Sequence, residues 1–150
     1  MIDIKQSQEV HAPVESVWKI FADLENEHKY WDALRRVKIL AKKENEIERE
    51  VRIPRGPLGE AKSHQKLVVD SGTKSSTLLM TKGPMLGTRK IELQKISGKG
   101  TRIDVHWEFE MKGVPSFALG FVRDNISEVT TKALAQIAKE AEKELSVLPS

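Results

Sequence analysis

Arg102-Ile103-Asp104-Val105-His106-Trp107-Glu108-Phe109-Glu110-Met111 is the most regular stretch of the chain. Every second residue is apolar, and the residues between them are charged or imidazole. A period of two is the signature of a β-strand with one dry and one wet face. Such a strand belongs to an antiparallel sheet covered on one side only. The segments before it repeat the pattern less cleanly. Ile2, Ile4 and Val10 share one parity in a first strand over residues 2–10, with Asp3, Lys5 and Glu9 on the other. Val37, Ile39 and Ala41 alternate with charges, as do Ile47, Val51 and Ile53, with Glu44-Asn45 as the turn between them. Ala61, Ser63, Gln65, Leu67 and Val69 oppose Lys62, His64, Lys66 and Asp70. Further strands run from Thr77 to Thr81 and around Ile91 and Leu93. Turns fall at Asp70-Ser71-Gly72 and Gly98-Lys99-Gly100, and loops at Gly56-Pro57-Leu58-Gly59 and Gly83-Pro84-Met85-Leu86-Gly87.

The cover for this sheet lies at the C-terminal end. From about Ser116 to Leu145 there is no proline, and Val122, Ile126, Val129, Ala133, Ile137, Ala141 and Leu145 recur at helical spacing. Thirty helical residues span about 45 Å, enough to cross a sheet of strands about 33 Å long. Near the other end, Pro13 suits a first helical position, and Val14, Val17, Trp18 and Phe21 form a short amphipathic stripe. Asp23 suits the cap of a second short helix through about Tyr30. Both are too short to stand alone and must dock. The order is one strand, two short helices, six strands and one long helix. The short connections among the last six strands make the sheet antiparallel.

Composition bounds the rest. The chain has 150 residues, 39% of them hydrophobic, which suits one domain over residues 1–150 with a real core. It has no cysteine, hence no disulfide framework or thiolate zinc site, and a cytoplasmic setting is expected. No apolar run reaches the roughly 18 residues of a membrane span, and the N-terminus lacks a signal-peptide pattern. A formal charge of +3 makes no strong nucleic-acid signal. Arg35, Arg36, Lys38, Lys42 and Lys43 form the densest basic run, but Glu44, Glu46, Glu48 and Glu50 cancel it locally. A solvated strand pair is the default reading there. The aromatics are unevenly placed: Trp18, Phe21, Tyr30 and Trp31, then none until Trp107, Phe109, Phe117 and Phe121.

The element order, with Ala12-Pro13-Val14-Glu15-Ser16-Val17-Trp18 running into Phe21-Ala22-Asp23-Leu24-Glu25-Asn26, resembles the polyketide cyclase/dehydrase branch of the START/Bet v 1-like (SRPBCC) superfamily. The Tyr30-Trp31 pair, the Gly/Pro loop before the sixth strand and the terminal helix after Val114-Pro115-Ser116 agree with it. The resemblance covers nearly the whole chain and is specific for fold rather than function. It implies an α+β helix-grip fold, a curved seven-stranded antiparallel sheet around a long C-terminal helix, with two short helices between strands 1 and 2. It also implies a hydrophobic cavity between sheet and helix for a lipid, polyketide or isoprenoid-like ligand. Ligand pockets run about 300–1,000 Å³, and an empty one at about 24 cal/mol per Å³ would cost roughly 7 kcal/mol or more. Total stability is about 5–15 kcal/mol. The cavity is therefore expected to be small, watered through polar groups, or filled.

Catalysis or polar recognition inside such a cavity needs polar residues on the dry parity of a strand. Arg49, Gln65 and Arg89 satisfy that, and arginine suits a carboxylate or phosphate. The competing reading is that the arginines sit near strand ends and snorkel to water. Trp107, Phe109, Phe117, Phe121, Tyr30 and Trp31 are candidates for the lining, against plain core. Asn125, one position before Ile126, is a further candidate contact. Met85, with Leu86, is expected at the tip of a gating loop. Asp104, His106, Glu108 and Glu110 form a tempting acid–base row, but their parity places them on the outer face. No two histidines have metal-ligand spacing, so no metal or cofactor is indicated. No phosphate loop or nucleophile elbow is present.

The reading is a carrier or sensor that binds a hydrophobic or amphipathic small molecule between sheet and helix, without catalytic residues. One alternative is a polyketide cyclase or dehydratase using the same cavity, for which inward carboxylates and histidines look nearly absent. Another is a protein or RNA interaction module with a vestigial cavity. A weak homodimer is left open.

Overall fold

The computed structural model describes residues 1–32, 34–54 and 59–147. Strand β1 (Ile2–Val10) leads into helix α1 (Val14–Ala22), and a 3-10 turn follows at Glu27–Tyr30. Six strands come next: β2 (Arg35–Lys43), β3 (Glu46–Pro54), β4 (Glu60–Asp70), β5 (Ser75–Lys82), β6 (Met85–Ile96) and β7 (Gly100–Met111). Helix α2 (Leu119–Val147) closes the chain. The strands form one antiparallel sheet in the order β1-β7-β6-β5-β4-β3-β2. From β2 to β7 the path is a meander of hairpins, and β1 returns along β7 with Ile2 opposite Phe109 and Ile4 opposite Trp107. This is the helix-grip fold. No helix among the described residues is long and apolar enough to cross a membrane.

Alternation places the core as the sequence implies. Ile47 and Val51 on β3, Leu67 and Val69 on β4, Ile91 and Leu93 on β6, and Ile103, Val105, Trp107 and Phe109 on β7 are all buried. Helix α2, 29 residues long and so about 44 Å, lays Ala133, Leu134, Ile137, Ala138 and Ala141 against that face. Gln6 of β1 ties down the first third of α2, donating from its amide nitrogen to the Ser127 carbonyl at 2.8 Å.

Four local expectations are corrected. The second short helix is only the four-residue 3-10 turn, and Asp23 closes α1 instead of capping a new helix. Pro13 is itself the cap of α1, one position before the helix. β2 does not bury its apolar parity: Ile39 and Ala41 are exposed. It is an edge strand whose register slips twice against β3, so alternation there has no core to face. The expected loop at residues 83–87 shrinks to Gly83-Pro84, because β6 begins at Met85, paired with Met111. Gly87, at φ +151°, then lies so close to β7 that a Cβ would sit 2.1 Å from the Glu108 carbonyl oxygen. Only glycine fits there. Of the expected loop at residues 56–59, only Gly59 falls within the described residues, and the side chain of Leu145 lies outside them.

Candidate functional site

Register brings the inward polar residues together. Arg49 on β3 lies opposite Gln65 on β4, and Arg89 on β6 opposite Trp107 on β7. None of Arg49, Gln65 and Arg89 is more than 2% exposed, so the arginines do not snorkel. Buried guanidinium groups need a counter-charge. It is supplied by Glu27 from the 3-10 turn, itself 2% exposed. Glu27 Oε2 accepts from Arg49 Nη1 at 2.8 Å and Glu27 Oε1 from Arg89 Nη2 at 2.5 Å. Arg49 Nε donates to Gln65 Oε1 at 2.9 Å. Burial pushes the Glu27 carboxyl up, but Arg89 and Arg49 outweigh it and hold the group down to about 2. Glu27 is therefore a permanent carboxylate near neutral pH, unsuited to proton transfer there. Burial also lowers Arg89, against the opposing pull of Glu27.

Trp31 follows the turn directly and folds over this cluster. The Arg89 guanidinium carbon lies 4.2 Å from the Trp31 ring centre and 5.6 Å from that of Trp107, both in cation–π range. Trp31 meets Trp107 edge to face at 5.9 Å, and Trp107 meets Phe109 likewise at 5.9 Å. The Trp107 indole N–H donates to Thr130 Oγ1 of α2 at 3.0 Å, and Thr130 in turn donates to the Ile126 carbonyl.

Between these groups and α2 lies a cavity of about 30 Å³. Trp31, Gln65, Arg89 and Trp107 form one side of it, where they show it almost only apolar surface. Leu34, Ile53, Leu78, Met80 and Met85 extend it along the sheet, and Ile126 and Val129 close it from the helix. The volume admits roughly one water molecule, far below the size of a small-molecule pocket. Three donors on this cluster find no protein partner although buried: Trp31 Nε1, Arg89 Nε and Arg49 Nη2.

Of the residues singled out from sequence, Trp31, Gln65, Met85 and Trp107 share the cavity wall, with Arg49 and Phe109 behind it. Met85 is buried in a strand and is no loop tip. Tyr30 stands apart and half-buried, its hydroxyl pushed up by burial and by the charges of Glu140 and Asp23. Phe117 and Phe121 are 89% and 77% exposed, and Asn125 is exposed too. The inward stripe of α2 runs through Val122, Ile126 and Val129, and Phe121 and Asn125 each precede a stripe residue by one. One residue is a turn of about 100° around the axis, so both leave the buried face.

Glu27 went unnoticed in the sequence, and the near absence of inward carboxylates is thereby corrected. It sits on a turn, where no parity marks a side chain as inward. The available signal was indirect: two inward arginines call for an acid, and the segment from Asp23 to Asp32 was the place to look. On the outer face, Asp3, His106 and Glu108 bring their donor atoms within 4.8 Å of one another. His106 Nε2 lies 3.1 Å from Asp3 Oδ1 and its Nδ1 3.5 Å from Glu108 Oε1, a polar arrangement on a solvated surface.

The family model for polyketide cyclase/dehydrase and lipid transport matches residues 1–142. The chain belongs to this family. Among solved structures, the polyketide cyclase/dehydrase-like chain is similar to the Zhui aromatase/cyclase from Streptomyces sp. R1128, with a TM-score of 0.80 and 12% identity over 96% of this chain and 95% of that one. It is also similar to TTHA0849 from Thermus thermophilus (TM-score 0.73, 14% identity, 95% and 99% of the two chains). A START superfamily protein from Mycobacterium smegmatis matches with a TM-score of 0.69 and 16% identity over 97% and 99%. At these identities the likeness is one of fold. No curated protein matches the chain by sequence.

Proposed function

We propose that this polyketide cyclase/dehydrase-like protein binds a hydrophobic or amphipathic small molecule between the sheet and α2, as a carrier or sensor. The observation that carries this reading is a cavity with almost wholly apolar walls, behind one end of which buried donors on Trp31 and Arg89 have no protein partner. Each such donor costs about 1–3 kcal/mol when left unmade. A cavity that had merely become vestigial would gain by pairing or replacing them, which argues against a pure interaction module. The family match to lipid transport and cyclase proteins supports the same reading.

Its present volume is far below a ligand's, so binding requires the wall to open. Met80 and Met85 are unbranched and adapt readily to a changed shape. Ile126 and Val129 sit on the half of α2 with fewer buried contacts.

The alternative is a cyclase or dehydratase acting in the same cavity. Donors on Trp31 and Arg89 suit a developing oxyanion, and the likeness to an aromatase/cyclase agrees with it. Chemistry of that kind also needs a group that exchanges protons near neutral pH. Glu27 is locked as a carboxylate, Tyr30 is raised above its ordinary value, and His28, lowered by burial and by Arg49, does not line the cavity, so the carrier or sensor reading stands first.

Native mass spectrometry of protein purified from its own cells tests the proposal. The expected result is an adduct of a few hundred daltons, lost on denaturation, with a matching rise in Tm when apolar amphiphiles are added. A clean apo mass with no thermal response across lipid and aromatic libraries would overturn it.

A further inference from the structure

The charge and hydrogen-bond inventory of the cavity end is one-sided. Glu27, Arg49 and Arg89 are the only charged residues fully buried among those described. Two cations face one carboxylate, leaving a single positive charge in a site with little water. A buried charge without a partner is costly. The ring faces of Trp31 and Trp107 offset part of that cost for Arg89, but a quadrupole does not neutralise a charge.

The hydrogen-bonding groups agree. Arginine and the tryptophan indole donate and never accept. The Gln65 carbonyl is engaged by Arg49 and so is no free acceptor. The indole N–H of Trp107 is committed to Thr130. The remaining wall is aliphatic or thioether, with Leu78, Met80, Met85 and Val129 among it. Unpaired donors and a net positive charge thus lie just behind one end of a cavity whose surface is otherwise apolar.

We infer that the cavity, once its wall opens onto these donors, takes an amphipathic monoanion, its oxyanion received by Arg89 Nε and Trp31 Nε1 beside Gln65 and its apolar body lying against Met80, Met85 and α2. This rests on the ligand-binding reading above and narrows it to a chemical class: a carboxylate, or another singly charged oxyanion, on a hydrocarbon or aromatic frame. A dianion would exceed the single surplus charge. A neutral alcohol or ester would satisfy donors but leave the charge standing. Glu27 is a positioning residue in this scheme. It fixes both guanidinium groups by one Nη each, so that Arg89 keeps its Nε for the ligand.

Isothermal titration at pH 7.4 with matched probes tests the inference: decanoate, methyl decanoate and decanol, and 2-naphthylacetate with its methyl ester. Sodium acetate serves as an anion without a body. At least one acid should bind ten-fold or more tightly than its own ester, and than decanol for the aliphatic set, while acetate shows no measurable heat. In Arg89→Met, where Glu27 and Arg49 still form a neutral pair, the preference for the acid should fall below about three-fold while ester binding persists. Trp31→Phe removes the N–H but keeps an aromatic ring, and should weaken the acid several-fold with little change for the ester. Equal binding of acid and ester in the unaltered protein would overturn the inference and leave the ligand-binding proposal in place. Acetate competing as well as the larger acids would overturn it too. Absence of binding by every probe would remove both. If Arg89→Met fails to fold, Trp31→Phe decides: an unchanged preference for the acid counts against the assignment.

Discussion

Glu27 is the side chain on which both buried arginines depend for a counter-charge. Replacing one member of a buried ion cluster leaves the others uncompensated, at about 3–5 kcal/mol. Glu27→Gln should therefore lower stability by that amount in urea denaturation at pH 7. The carboxyl has a folded value of about 2 against an ordinary 4.5. Its contribution is full above pH 4.5 and drains away as pH falls toward 2, since the unfolded chain then binds the proton first. The difference between the two values corresponds to about 3 kcal/mol. Denaturation at pH 7, 4 and 3 should show the parent losing stability faster than Glu27→Gln; parallel losses would contradict the assignment. Gly87 is the second residue on which the geometry turns. Gly87→Ala would force a Cβ into the Glu108 carbonyl, and should either prevent soluble expression or cost several kcal/mol, as strained backbone sites do. A neutral outcome in thermal melts would show that β6 and β7 can separate there.

Helix α2 is anchored unevenly. Ala133, Leu134, Ile137, Ala138 and Ala141 are buried in its second half, whereas Ile126 and Thr130 are the buried residues before them. Amides of residues 119–125 should exchange with deuterium much faster than those of residues 133–141, by the general link between sparse burial and local opening. Uniform protection along α2 would argue against opening from this end. Phe117→Ser and Phe121→Ser should change stability by no more than about 0.5 kcal/mol each, as for surface sites without buried contacts, measured by thermal unfolding. At this scale the sequence was most legible where a strand has one buried face. The periods of β3, β4 and β7 and of α2 could be read directly, because burial on one side imposes them. It was least legible where no such face exists. β2 is an edge with bulges, the turn at Glu27–Tyr30 is too short for a helical period, and Met85 sits beside Gly-Pro while already paired in β6. The same limit applies to the site. Arg49, Gln65 and Arg89 stood out as polar residues on a dry parity, whereas Glu27 has no parity to betray it.

Taken whole, the molecule is a sheet folded round a helix with a water-sized gap at its polar end. If the gap opens for a ligand, binding adds stability in proportion to RT ln(1 + [L]/Kd), about 2.7 kcal/mol at a hundred-fold excess over Kd. For a chain of this size that is a Tm rise of about 5–10 °C. Val129→Phe, which fills the gap from the helix side, should abolish that rise while the variant remains folded. A retained rise would place the ligand elsewhere. The positions of Trp31 and Trp107 have one further consequence. Two of the three indoles in the chain bracket the same guanidinium, and the third, Trp18, lies near Lys74 at 5.5 Å, on a different part of the structure. Indole emission responds to nearby charge and to the polarity of its surroundings. The protein is thus its own optical reporter: light emitted from the cavity end changes whenever Arg89 moves or its surroundings are exchanged, over the steady background of Trp18.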